Sequence, residues 1–136
     1  MTLRPVLKAL GVIAIVALLA GATSARAELR AVSHVSEGII TAAIAYEIGD
    51  KCGPVDTRLL RGLSFLNSLK SHAASLGYSD AEIDAYIDDK AEQDRLEAVA
   101  RDRLRAMGAV EGESESYCTV GRAEIAAGSP IGQLLR

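Results

Sequence analysis

The chain predicts an all-α fold: a small antiparallel four-helix bundle with a short C-terminal helical turn and one disulfide. Three observations lead there. Apolar residues recur at three- and four-residue spacing over long stretches, the period of a helix with one buried face. Cap and stop residues fall between those stretches. There is no Trp and a single Phe, so the core must come from Ala, Leu, Ile, Val and a few Tyr. Such side chains suit close helix packing better than a β-sandwich.

The first 27 residues read as a leader outside the fold. Arg4 and Lys8 make a basic start, and Ala9 to Ala22 is an uncharged apolar run of 14 residues. That is short of the ~20 residues needed to span a bilayer. Ala25-Arg26-Ala27 is a small-x-small site, which predicts signal-peptidase cleavage before Glu28 and a periplasmic location. No Cys lies at the end of the Leu18 to Ala22 stretch, so no lipid anchor is expected. Residues 28–136 then form one domain with one core. The leader holds three of the 15 basic residues and none of the 18 acidic ones, leaving 12 against 18, a net charge of −6. That balance argues against nucleic acid or anionic lipid as a partner.

Residues 28–33 read as a loose lead-in. A first helix spans about Ser33 to Gly49, with Val35, Ile39, Ala42, Ala43 and Tyr46 on one row and Ile40, Ile44 and Ile48 on the next. Two apolar rows mark the central helix of a small bundle. Gly53 and Pro54 follow it as a stop. Asp56 is the expected N-cap of a second helix reaching Leu76, whose stripe is Leu59, Leu63, Leu66, Leu69, Ala73 and Leu76, with Phe65 on its flank.

Ser79-Asp80-Ala81-Glu82 is a capping box. From it a third helix is expected to run unbroken to Met107, stopped by Gly108. Acids fill its first half and Arg101, Arg103 and Arg105 its last turns, which complements the helix dipole. Glu92 with Arg95, Glu97 with Arg101, and Asp102 with Arg105 are spaced to pair. A loop around Glu111 to Glu115 leads to a fourth helix, from Ser114 or Ser116 to Ala127. Ser129 and Pro130 then open a last turn bearing Ile131, Leu134 and Leu135.

Cys52 and Cys118 are the only cysteines. An even count in an exported chain favours a bridge. Short connections make successive helices antiparallel, so the end of the first helix and the start of the fourth share one end of the bundle. Cys52 and Cys118 sit at those two points.

Candidate chemistry is sparse. The cysteines are too far apart for a Cys-x-x-Cys redox pair and lack the haem-attachment pattern. His34 and His72 each lack a second ligand one turn away, and zinc sites need three or four. Ser68 lies one turn from His72 without a nucleophile elbow. Counting from Asp80, the sixth and twelfth positions of a calcium loop hold Ala85 and Ala91, not Gly and Glu. Asp80, Glu82, Asp84, Asp88 and Asp89 therefore read as a solvated helix start. The two glycines of Gly108 to Gly112 lack a phosphate-loop Lys and read as a turn. Asp88 and Asp89 diverge on a helix and make no glycosidase dyad. The residues name no catalytic group, no cofactor and no metal.

Several local patterns occur together: Cys52-Gly53, Arg61 to Phe65 (RGLSF), Leu76-Gly77-Tyr78 before an acidic helix with Ile83, Tyr86 and Ile87, Tyr117-Cys118, and Gly128 to Gly132 before Leu134 and Leu135. They resemble a small exported alphaproteobacterial family classed as a domain of unknown function. The resemblance covers about Ala31 to Arg136 and carries no assigned catalytic residues. It implies an association with a respiratory membrane complex, the NADH:quinone oxidoreductase. The function expected is a non-enzymatic protein-binding or accessory module, whose partner is another periplasmic or membrane-complex protein. Arg101, Arg103 and Arg105 are its candidate docking face. The alternative is a small-ligand carrier with a cleft of Ile, Leu and Tyr between helices.

Overall fold

The structure, a computed structural model, describes residues 28–136. The expected leader, with Ala25 and Ala27, lies outside the described residues. Among the described residues, after a short helical turn at residues 28–30, the helices are α1 (Ser33–Lys51), α2 (Leu59–Ser75), α3 (Asp80–Ile87), α4 (Lys90–Met107) and α5 (Ser114–Ala127). A 3-10 turn, Gly132–Leu134, follows. Among the described residues the only β pairing is an isolated antiparallel bridge between Thr57 and Leu135.

The apolar double row of α1 makes it the centre of the fold. It packs against α2, α4 and α5, and Ile40, Ile44, Ala45 and Ile48 on it are buried. The main core joins these to Leu96, Ala100 and Leu104 of α4, to Tyr117, Cys118 and Val120 of α5, and to Leu134 and Leu135 of the tail. A second cluster gathers Leu29, Val35, Ala73, Ile83 and Tyr86 at the opposite end from the disulfide. Cys52 and Cys118 are bonded, with Cα atoms 5.1 Å apart. The antiparallel run of helices brings them there.

Four expectations are corrected. The third helix is two helices. Ile83 and Leu96 would point about 140° apart on one straight helix at 3.6 residues per turn, yet both are buried. The chain solves this by turning at Asp88 and Asp89. The Asp89 side chain caps α4 by accepting from Glu92 N at 3.0 Å, and Gln93 Nε2 donates to Ile87 O at 2.6 Å across the turn.

Asp56 does not cap α2. Its backbone pairs with Arg136 in both directions at 2.9 Å, and Arg58 N donates to Leu134 O at 2.8 Å. This tail pairing brings Thr57 so close to Gly49 that any Cβ there would collide with it. The lead-in is not loose either: Leu29 is 1% exposed, and Arg30 reaches Glu92 at 3.4 Å. Finally, the α2 stripe is mostly uncovered. Leu69 and Ala73 are buried, but Leu59, Leu63 and Leu66 are 66%, 59% and 38% exposed.

Candidate functional site

Leu66 of the uncovered stripe belongs to one wall of an apolar trench. α2 and α4 both lie along α1 but scarcely touch each other. The gap between them holds about 630 Å³. Its floor is Ile39, Ala42, Ala43 and Tyr46 of α1, because the outer of the two α1 rows faces away from α5. Leu66, Leu69 and Ala73 form the α2 wall, and Leu96 and Ala100 the α4 wall. The turn at Asp88 and Asp89 swings α3 across one end, where Ile83, Tyr86 and Leu29 close the trench.

The closed end carries the only buried charged residue among those described, Glu92. Its carboxylate accepts from Arg95 Nε at 3.0 Å and from the Tyr86 hydroxyl at 3.1 Å, with Arg30 at 3.4 Å. Arg95 and the other donors hold the Glu92 carboxyl below its ordinary range despite burial. Burial, together with the Glu92 charge, pushes the Tyr86 hydroxyl up to about 12. This cluster is a satisfied ionic lock that joins the lead-in, α3 and α4. No buried side-chain polar atom among the described residues lacks a partner.

Two rim cations are neutralised within the chain. Lys70 meets Asp84 at 3.2 Å, and Arg101 meets Glu97 at 3.3 Å. Of the three arginines expected as a face, Arg101 lines the trench. Arg103 turns to α1 and forks onto Glu37 at 2.6 and 2.8 Å, while Arg105 pairs with Asp102. The three do not form one patch. A bidentate arginine holds the Glu37 carboxyl below its ordinary range.

The spaced pairs Glu92 with Arg95, Glu97 with Arg101, and Asp102 with Arg105 all form. Ser68 Oγ donates to Phe65 O at 2.6 Å and is committed to its own helix. Glu82 is occupied in the capping box with Ser79. Among the described residues no three His, Cys, Asp or Glu side chains gather as metal ligands. The two histidines do meet. Their rings, on α1 and α2, lie with centroids 4.4 Å apart and tilted by 60°. Spacing along either helix could not reveal this, since the pairing is between helices.

Sequence reasoning named the Arg residues and, as the alternative, an apolar cleft of Ile, Leu and Tyr between helices, without placing it between α2 and α4. The available signal was the five-leucine stripe of α2, which the bundle was expected to bury. None of the described helices is long and apolar enough to cross a membrane. The disulfide fits an oxidising compartment outside the cytoplasm.

The chain belongs to a family of unknown function, DUF5333, whose model matches residues 27–136. No curated protein and no solved structure gives a match.

Proposed function

We propose that this protein is an exported, non-enzymatic accessory module that holds an amphipathic helix of another protein in the trench between α2 and α4. The observation that carries the reading is the open apolar trench, with the exposed leucines Leu59 and Leu63 extending its α2 wall beyond Leu66 at helical spacing. From Leu59 to Ala73 the row runs about 21 Å at 1.5 Å per residue, close to four turns of an incoming helix. The trench is open along one side, so an occupant needs one apolar face and one that tolerates water. An amphipathic helix has both. With Lys70 and Arg101 paired internally and the lining mostly apolar, recognition rests on apolar shape more than on charge.

The test places a photo-crosslinking residue at Leu63, with Glu111 as a control site away from the trench. In the native host, Leu63 should crosslink one periplasmic or membrane-complex protein, within an amphipathic helix, and Glu111 should not. No protein adduct at Leu63 would end the reading. A second reading, a carrier of a small apolar ligand, is favoured by the trench volume, which falls in the range of about 300–1,000 Å³ usual for ligand pockets. Native mass spectrometry of the protein from its host would then show a retained small molecule.

Export to the periplasm is part of the proposal. It is supported by the Cys52 to Cys118 bridge and by a family match that begins at residue 27, beside the expected cut between Ala27 and Glu28. N-terminal sequencing should find Glu28 first; a protein recovered from the periplasm with Met1 intact would refute the cleavage.

A further inference from the structure

We propose that His34 and His72 form a two-histidine site for a divalent copper ion, bridging α1 and α2. The two residues are 38 positions apart in the chain and on different helices, yet their rings are in contact at the surface, with centroids 4.4 Å apart. His34 is exposed and His72 half-buried, so a solvated cation can reach both. Among the described residues no hydrogen bond holds either ring, which leaves the nitrogen lone pairs free for a metal. The rings are tilted by 60° and not stacked face to face, so their edges can converge on one point.

The separation has room for one ion between the two imidazoles, as neighbouring ligands. A metal–imidazole bond is about 2.0–2.1 Å, which puts the ion roughly 3.2 Å from each ring centroid. Two centroids 4.4 Å apart then subtend about 90° at the ion. That is the angle between neighbouring ligands in a tetragonal site. Imidazole nitrogen suits Cu2+, which also binds such ligands more tightly than the other divalent first-row ions. Water would fill the remaining positions. Once one imidazole holds the ion, the second binds at high effective concentration because α1 and α2 already fix it in place.

The experiment titrates Cu2+ alone into the purified, disulfide-bonded protein, beside the variants His34→Gln, His72→Gln and the double variant. Circular dichroism and melting without metal check that each variant folds. The expected result is one tight Cu2+ per chain, with an electron paramagnetic resonance signal showing two equatorial nitrogens. Each single variant should lose roughly tenfold or more in affinity and match the double variant. Cu2+ should also raise the melting temperature of the wild type and of no variant, because the ion ties two helices only when both rings are present. Affinity retained in either single variant means that the rings act independently and overturns the proposal. Tight binding that survives in the double variant, as at a free α-amine, overturns it equally.

Discussion

Truncating two leucines of the same helix should have very different costs. Leu69 and Leu63 both belong to the apolar stripe of α2, but Leu69 is 3% exposed and Leu63 is 59% exposed. Leu69 lies tightly against Gly38 of α1, where added bulk would collide with its side chain. Leu69→Ala therefore removes buried methyl groups and leaves a void, at about 2.7–5 kcal/mol. Leu63 loses less than half of its surface to the protein, and full burial of a leucine is worth about 1.5–3 kcal/mol. Leu63→Ala should cost no more than about 1 kcal/mol. Urea denaturation at one temperature reads the difference, with unchanged slopes showing that the unfolding transition is the same in both variants. If Leu63→Ala costs as much as Leu69→Ala, the stripe is covered in solution. The open trench, and the docking proposal with it, would then be wrong.

Two further outcomes follow. Removing the bridge by Cys52→Ser or Cys118→Ser should destabilise the fold by about 4 kcal/mol, from the entropy of closing a loop this long, given a separation of 66 residues. The double variant should be little worse than either single, and a melting temperature within a few degrees of wild type would refute the estimate. Acid should weaken the closed end of the trench. The folded Glu92 carboxyl is held below the ordinary glutamate value of 4.5, so its contribution is present above about that pH and is lost as pH falls through the depressed folded value. Glu92→Gln should flatten the stability curve on the acid side, and an unchanged acid slope in that variant would place the titrating group elsewhere.

The helical class, the ends of most elements and the disulfide were legible because local physics sets them. Ile40, Ile44 and Ile48 recur at the helical period, Ser79 and Glu82 cap each other, and Gly108 and Gly128 take positive φ at helix ends. The bridge was legible because antiparallel order places Cys52 and Cys118 together whatever the packing details. Periodicity reports that a helix has an apolar face, but not what lies opposite it. The stripe of α2 therefore looked like core, although only Leu69 and Ala73 of it are buried. The break at Asp89 was hidden for a related reason. Asp89 and Glu92 have the spacing of a helix start, but the flanking periodicity also permits a continuous helix, and the need to bury both Ile83 and Leu96 decides for the break. Asp56 looked like a cap until the tail claimed its backbone. The trench, the Glu92 lock and the meeting of His34 with His72 all depend on which helices α1 gathers and how far apart it holds them. Those distances arise from packing between elements remote in sequence, so tertiary structure alone decided them.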